Sequence, residues 1–214
     1  MKIVLVGCTG MIGQRILNEA LSRGHHVVAV ARDPGKVAPR PNLEVKQGDA
    51  FKPDTLAPTF AGADVVVTAI SPPKDQPRKA IESVDTLTQA INAANKTSHK
   101  SIRLIMVGGA ASLEVAPGKV LLDQPGFPEA WKPIASAHRE ALGELRKAPI
   151  DWSYFSPATF IQPGERTGKY RTGGDQLVTD AKGESRISCE DYAVAMLDEI
   201  EKPQFLRKRF TAAY

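Results

Sequence analysis

The sequence predicts an α/β fold, a doubly wound parallel sheet with helices on both faces. Short apolar runs recur along the chain, and most of them are continuous rather than alternating, which is typical of strands covered on both faces. Segments with helical spacing separate these runs. This alternation indicates successive strand–helix–strand units joined by right-handed crossovers.

The predicted strands, in chain order, are KIVLVG, HVVAVAR, LEVKQGD, ADVVVTAI, SIRLIMVGG and DWSYFSPA. The predicted helices are MIGQRILNEALSRG, DTLAPTFAG, ESVDTLTQAINAANK and HREALGELRK. Gly24 follows the first helix as a C-cap, and Asp54 precedes the second as an N-cap. We therefore expect residues 1–160 to form the core of a single domain that spans residues 1–214.

The character of the sequence changes after residue 160. QPGERTGKYRTGGDQ is rich in glycine and charge and predicts loops near the substrate, where Tyr170 and Arg171 either contact substrate or remain solvated. SRISCEDYAVAMLDEIEKP predicts a last amphipathic helix, with Ser185 and Asp191 as capping residues. The basic run FLRKRF predicts a solvated edge strand.

Composition narrows the class of protein. The chain has 42% hydrophobic and 24% charged residues, which are ordinary values for a globular protein. Its net charge of +4 is scattered rather than gathered into a stripe, so nucleic acid is not an expected partner. Cys8 and Cys189 lie far apart, without metal-ligand spacing, and no apolar run approaches the ~18 residues of a membrane helix. We expect a cytoplasmic protein with no metal site and no membrane partner.

A glycine-rich turn, GCTGMIG, follows the first strand and opens the first helix. Gly7 permits the tight turn, Gly10 lets the backbone approach a pyrophosphate, and Gly13 lets helix and strand pack closely. The spacing departs from G-x-G-x-x-G, but its place in a strand–helix–strand unit strengthens the prediction of a dinucleotide site. The alternative is a turn that binds nothing. The predicted contacts here are Gly7, Thr9, Gly10, Met11, Ile12 and Gly13.

The ends of the next strands predict further cofactor contacts. Arg32 ends the second strand, where an arginine suits the 2′-phosphate of NADP, so NADP is favoured over NAD. The alternative is a solvated Arg32, with Asp33 capping the following turn. Asp49 either accepts a hydrogen bond from the adenine amino group or only caps a turn. After the fourth strand, Thr68, Ala69, Ile70 and Ser71 lie along the predicted cofactor path.

The residues resemble the atypical short-chain dehydrogenase/reductase superfamily, specifically its small NAD(P)H-binding proteins of the NADH-flavin reductase and NmrA-like type. The resemblance covers nearly the whole chain and rests on GCTGMIG, ARDP, GDAF, IMVGGAASLEVAPG, FSPATFIQPGERTGKYR and SRISCEDYAVAMLDEIE. It implies a Rossmann-like, NADP-binding domain whose active site lies over the nicotinamide, near Gly108, Ser112 and Pro157. Ser112 matches the serine that orients a substrate carbonyl in the superfamily; the alternative is a small residue that allows close backbone approach.

The sequence departs from the superfamily at its catalytic pair. Dehydrogenases of this type carry Tyr-x-x-x-Lys on the helix before the sixth strand, whereas KPIASAHREALG places Ile134 and His138 there. His138 is a candidate to replace the lysine as ribose ligand or proton donor, and the alternative is a solvated histidine. Ser112 and His138 are the candidate catalytic residues. Trp152 and Tyr154 alternate on a strand and indicate packing.

The missing tyrosine shapes the functional prediction. An acceptor that takes hydride directly, and its proton from water, needs little beyond stacking and orientation, which favours an NADPH-dependent reductase of a flat conjugated molecule such as a flavin or quinone. A non-catalytic sensor of the dinucleotide redox state, as implied by the NmrA-like resemblance, is the first alternative. A sugar-nucleotide epimerase is the second, although such enzymes usually keep the tyrosine.

Overall fold

The computed structural model describes residues 1–214. Its strands are β1 (Lys2–Val6), β2 (His26–Ala31), β3 (Leu43–Gln47), β4 (Val65–Thr68), β5 (Arg103–Val107), β6 (Glu114–Ala116), β7 (Lys119–Val120), β8 (Asp151–Ser156), β9 (Phe160–Gln162), β10 (Arg171–Gly173), β11 (Arg186–Ser188) and β12 (Lys208–Ala213). Its α-helices are α1 (Met11–Ser22), α2 (Pro53–Phe60), α3 (Lys79–Ser98), α4 (Lys132–Leu145) and α5 (Cys189–Glu201).

The central sheet has eight strands in the order β10-β12-β8-β5-β4-β1-β2-β3. All neighbours pair in parallel except β10, which pairs antiparallel with β12. The strand order reverses beside β1, so the chain winds outward in both directions from the centre. The predicted Rossmann-like fold is confirmed, and the switch point lies where such folds bind ligands.

Two apolar layers cover the sheet. Helices α1 and α5 pack on one face, against side chains that include Leu5, Ile105 and Phe155. Helices α2, α3 and α4 pack on the other face, against side chains that include Val66 and Met106. Central strands are therefore buried on both sides, which explains their continuous apolar sequences.

Helix boundaries follow local chemistry. Gly24, with a φ of 77°, adopts the left-handed conformation just beyond α1 and confirms the predicted end of that helix. Asp54 is not the N-cap of α2, because the helix begins at Pro53 and Lys52 occupies the cap position. A backbone N–H at the first helical position has no partner within the helix, so proline, which lacks this group, is favoured there. Helix α2 therefore begins at Pro53, ahead of Asp54.

The C-terminal segment corrects three predictions. β12 is not an edge strand, because it lies between β8 and β10. Within FLRKRF, Arg209 is buried. Ser188, not Ser185, caps α5 by accepting a hydrogen bond from the Asp191 amide at 2.9 Å, while the Ser185 hydroxyl accepts one from the Thr159 amide. Asp191 belongs to the first turn rather than the cap.

None of the helices combines the length and the apolar character that a membrane span requires.

Candidate functional site

A cleft of about 560 Å³ runs along the carboxyl edge of the sheet. It begins at the ends of β2 and β3, crosses the ends of β1 and β4, and reaches the end of β5 and one side of α4. Its lining residues are Val6, Gly7, Thr9, Gly10, Met11, Ile12, Val30, Ala31, Arg32, Gly48, Asp49, Ala50, Phe51, Ala69, Ile70, Ser71, Pro73, Val107, Gly108 and His138. The cleft therefore collects residues from five strand ends and from two helices, α1 and α4.

The glycine-rich turn lies at the middle of the cleft. Gly7 has a φ of 92°, and a Cβ there would lie 2.7 Å from the carbonyl oxygen of Ala69. A Cβ on Gly13 would lie 2.0 Å from the carbonyl oxygen of Gly7, so α1 and β1 meet without room for a methyl group. A Cβ on Gly10 would meet nothing closer than 3.6 Å. Gly7 and Gly13 are required by the fold itself, whereas the space at Gly10 is open toward a ligand.

The amino end of α1 presents free hydrogen-bond donors to this space. The backbone N–H groups of Met11 and Ile12 have no acceptor within the protein, as expected for the first turn of a helix. No acidic side chain occupies that turn. Free amides and the positive end of the helix dipole favour an anion such as a pyrophosphate here.

The two charged side chains after β2 point in different directions. Asp33 caps the following turn, its carboxylate accepting a hydrogen bond from the Gly35 amide at 3.2 Å, and it does not line the cleft. Arg32 lines the cleft, is exposed, and has no carboxylate partner. The guanidinium is therefore available to an anionic group at this end, while the neighbouring acid is not.

Asp49 closes a turn and also lines the cleft. Its Oδ1 accepts a hydrogen bond from the Phe51 amide at 3.0 Å, which closes a turn. Its Oδ2 makes no hydrogen bond within the protein, and the residue lines the same end of the cleft as Arg32. Phe51, which sequence reasoning did not single out, lines the cleft beside it with Lys79 Nζ 4.6 Å from its ring centroid.

His138 lies at the opposite end of the cleft, beside Gly108. Its Nδ1 atom is buried and has no hydrogen-bond partner. Burial lowers the pKa of His138 to about 4, so the imidazole is neutral near pH 7. A neutral imidazole lining the cleft can serve a ligand hydroxyl as donor or acceptor.

Tyr154 holds this end of the cleft in place. A Cβ on Gly108 would lie 2.0 Å from the Tyr154 ring, so the tyrosine fills the space that a side chain at Gly108 would need. Its hydroxyl accepts a hydrogen bond from the Gly109 amide and donates one to the carbonyl oxygen of His138. Tyr154 and Trp152 are both buried, as the packing interpretation predicted.

Several predicted residues are not brought into the cleft. Ser112 lies outside it, and its hydroxyl accepts a hydrogen bond from the buried Arg209 at 2.9 Å. Pro157 is buried after β8 and does not line the cleft. The Tyr170 hydroxyl donates a hydrogen bond to the Asp198 carboxylate. Arg171, on β10, donates a hydrogen bond to the carbonyl oxygen of Thr179 at 2.7 Å. The partners of Ser112 and Tyr170 are 97 and 28 residues away in sequence, and no local signal identifies them.

The remaining lining residues flank positions that the motifs did identify. They are Val6, Val30, Ala31, Gly48, Ala50, Phe51, Pro73 and Val107. Each lies at a strand end or in the loop that follows one, so the general rule that ligands bind at the carboxyl edge was the available signal.

The sequence matches the model of the NAD(P)H-binding family over residues 7–203. The chain belongs to the NAD(P)H-binding family. The matched range contains the whole cleft apart from Val6.

Solved structures of similar chains agree on the fold. A proposed exported protein from Burkholderia pseudomallei is 46% identical with a TM-score of 0.90, and the match covers 100% of both chains. A proposed epimerase from Bacteroides thetaiotaomicron is 42% identical with a TM-score of 0.87, covering 100% of this chain and 96% of that one. A proposed NADH-flavin reductase from Streptococcus pneumoniae is 32% identical with a TM-score of 0.89, covering 100% and 99%.

The cleft fits the ligand of the NAD(P)H-binding family. The free amides of α1 suit the pyrophosphate, Arg32 and Asp49 lie at one end, and the unpaired nitrogen of His138 lies at the other. With this order of strands, the adenosine half of a bound dinucleotide would lie over β2 and β3, and the nicotinamide half would lie over β4 and β5.

Proposed function

We propose that this member of the NAD(P)H-binding family is an NADPH-dependent reductase that transfers hydride to a flat conjugated acceptor, such as a flavin or quinone. The observation that carries the proposal is the chemistry of the nicotinamide end. Arg32, Asp49 and His138 are the cleft residues with ionisable side chains, and only His138 lies at that end. The pKa of His138, about 4, makes it a poor proton donor at neutral pH.

Ile134 supports the same conclusion. It occupies the position on α4 at which the superfamily tyrosine is expected, and its side chain holds no proton to donate. Reduction of a simple ketone requires a proton at the developing alkoxide, so that reaction is poorly served here. A conjugated acceptor spreads the added charge over its rings and takes its proton from water.

The residues of the cleft then have positioning roles. The amides of Met11 and Ile12 bind the pyrophosphate, and Arg32 binds the 2′-phosphate. The neutral imidazole of His138 would bind a hydroxyl of the nicotinamide ribose. The reduced dinucleotide supplies the hydride. The protein holds donor and acceptor together, which lowers the entropic part of the barrier.

The preference for NADPH rests on the contrast between Arg32 and Asp33. An NAD site uses a carboxylate at the end of the second strand to bind the ribose 2′-OH, and the Asp33 carboxylate is directed to the Gly35 amide instead. Arg32, without an ion-pair partner, supports binding of a phosphate at the same place.

The test is oxidation of NADPH by the purified protein with a panel of FMN, riboflavin, a quinone and simple ketones. Loss of the reduced-nicotinamide absorbance should saturate with a flat acceptor and remain at background with the ketones. His138→Phe should weaken NADPH binding, because it removes the ribose contact, while Ile134→Val, a conservative change on the same helix, should have no effect.

Two other outcomes have distinct meanings. Tight NADPH binding without turnover on any acceptor would contradict the reductase and indicate a redox sensor. Interconversion of a sugar nucleotide without net consumption of the dinucleotide would instead indicate an epimerase, the activity proposed for the relative from Bacteroides thetaiotaomicron.

A further inference from the structure

One face of α4 forms a continuous stripe that leads out of the core. Leu145, Leu142 and Ala141 on this face are buried in the layer beneath the helix. His138 comes next along the stripe and lines the cleft, and Ala135 is buried beside it. The inner part of the stripe is therefore covered by the sheet, and its outer part lies at the nicotinamide end.

Trp131 is the last member of this stripe. It immediately precedes the first residue of α4, and its φ of −99° and ψ of −12° lie in the helical region. At 3.6 residues per turn, a residue seven positions before His138 lies within about 20° of the same direction. At 1.5 Å per residue, it lies about 10 Å farther along the axis.

The amino end of α4 extends beyond the carboxyl edge of the sheet. The helix connects the parallel strands β5 and β8, so it runs antiparallel to them and its first residues lie at the edge where the strands end. His138 is level with the cleft, so Trp131 lies outside it on the solvent side. Most of the Trp131 surface is uncovered, since the residue is 62% exposed.

We propose that Trp131 is the specificity-determining residue that stacks on the flat acceptor. This inference rests on the proposed reductase activity. The indole lies on the same side of α4 as His138 and about 10 Å farther along the helix axis, a distance that a fused ring system spans. A conjugated acceptor stacked over the nicotinamide would extend to this position. The exposed apolar surface at Trp131 is small, because the adjoining Lys132 pairs with Glu129. A surface of this size suits a small aromatic molecule better than a protein partner.

The test compares Trp131→Ala with Trp131→Phe. Trp131→Ala should raise the KM for FMN about tenfold, the scale of one lost stacking contact, while the Kd for NADPH stays within about twofold. Trp131→Phe should recover most of the affinity, because it restores an aromatic face. Phe160→Ala is the matched control, since Phe160 is also an exposed aromatic residue, 55% accessible, but lies on β9 rather than at the amino end of α4.

A second measurement does not depend on turnover. Calorimetric titration of FMN, and separately of a quinone, into the protein saturated with NADP⁺ should show binding that Trp131→Ala weakens. An unchanged KM and an unchanged Kd in Trp131→Ala, an equal loss in Phe160→Ala, or no binding of either acceptor would overturn the inference. Turnover that is unchanged in Trp131→Ala would support the reductase and contradict only the stacking role. Binding that depends on Trp131 but is not followed by turnover would contradict the reductase and support the stacking site.

Discussion

The Tyr154 hydroxyl donates a hydrogen bond to the carbonyl oxygen of His138 at 3.1 Å. The same hydroxyl accepts a hydrogen bond from the Gly109 amide at 3.3 Å, so one buried side chain joins β8, α4 and the loop after β5. Burial raises the pKa of Tyr154, which keeps the phenol protonated and able to donate. The position of His138 in the cleft therefore depends on a residue that does not itself line the cleft.

Tyr154→Phe should loosen the nicotinamide end of the cleft. The change keeps the ring that packs on Gly108 and removes both hydrogen bonds, so the free energy of unfolding should fall by about 1–2 kcal/mol. NADPH affinity should fall by several fold as His138 moves, and urea unfolding with fluorescence-detected binding measures both quantities. If stability falls while NADPH affinity is unchanged, Tyr154 supports the fold but does not position His138.

Alanine at Gly13 and alanine at Gly10 should have unequal effects. Gly13→Ala places a methyl group 2.0 Å from the Gly7 carbonyl oxygen, so the free energy of unfolding should fall by about 3 kcal/mol or more. Gly10→Ala meets no atom closer than 3.6 Å and should leave thermal stability nearly unchanged, yet weaken dinucleotide binding by crowding the pyrophosphate. Equal stability losses in the two variants would contradict the distinction between a packing glycine and a ligand glycine.

Arg32 should discriminate between the two dinucleotides. Arg32→Ala should weaken NADPH binding by about 10- to 100-fold, the range expected for hydrogen bonds to a charged group, and leave NADH binding almost unchanged. Arg40→Ala is the control, because Arg40 is another exposed arginine that bonds Asn18 and lies outside the cleft. Equal weakening of NADPH and NADH by Arg32→Ala would show that the guanidinium does not bind the 2′-phosphate.

His138 should make folding sensitive to acid. Burial lowers its pKa from 6.5 to about 4, so between these pH values the unfolded chain binds a proton that the folded chain does not. Stability therefore falls as the pH drops through this window, and His138 contributes at most about 3 kcal/mol to that fall. His138→Asn, which cannot titrate, should lose less stability across the same window in urea unfolding experiments. Parallel stability curves for the two proteins would place the pKa of His138 near its ordinary value.

The central fold and the glycine-rich turn could be predicted because their signals are local. Continuous apolar runs mark strands buried on both faces, and Gly7 and Gly13 satisfy packing demands within one strand–helix unit. The contrast between Arg32 and Asp33 was also open to prediction, since Asp33 caps a turn only two residues ahead. For Gly13 and Asp33 the partners lie within one structural unit, whereas Gly7 also packs against Ala69 after β4.

The misjudged residues have distant partners. Ser112 was a catalytic candidate from its motif, but Arg209, 97 residues away in sequence, bonds its hydroxyl outside the cleft. FLRKRF looked solvated because it is basic, yet Arg209 also pairs with Asp175 and is buried. The charge of a short segment does not indicate whether a distant carboxylate neutralises it. The basic segment FLRKRF therefore resembled a solvated edge strand, although it contributes to an interior strand.

The position of β12 between β8 and β10 has a consequence for biosynthesis. It is the last of the eight sheet strands to be translated, yet it occupies an interior place. Until residues 208–213 leave the ribosome, one edge of β8 has no partner and β10 has nothing to pair with. An unpaired edge invites association between nascent chains, so a ribosome that pauses before this strand would hold the protein in its most aggregation-prone form.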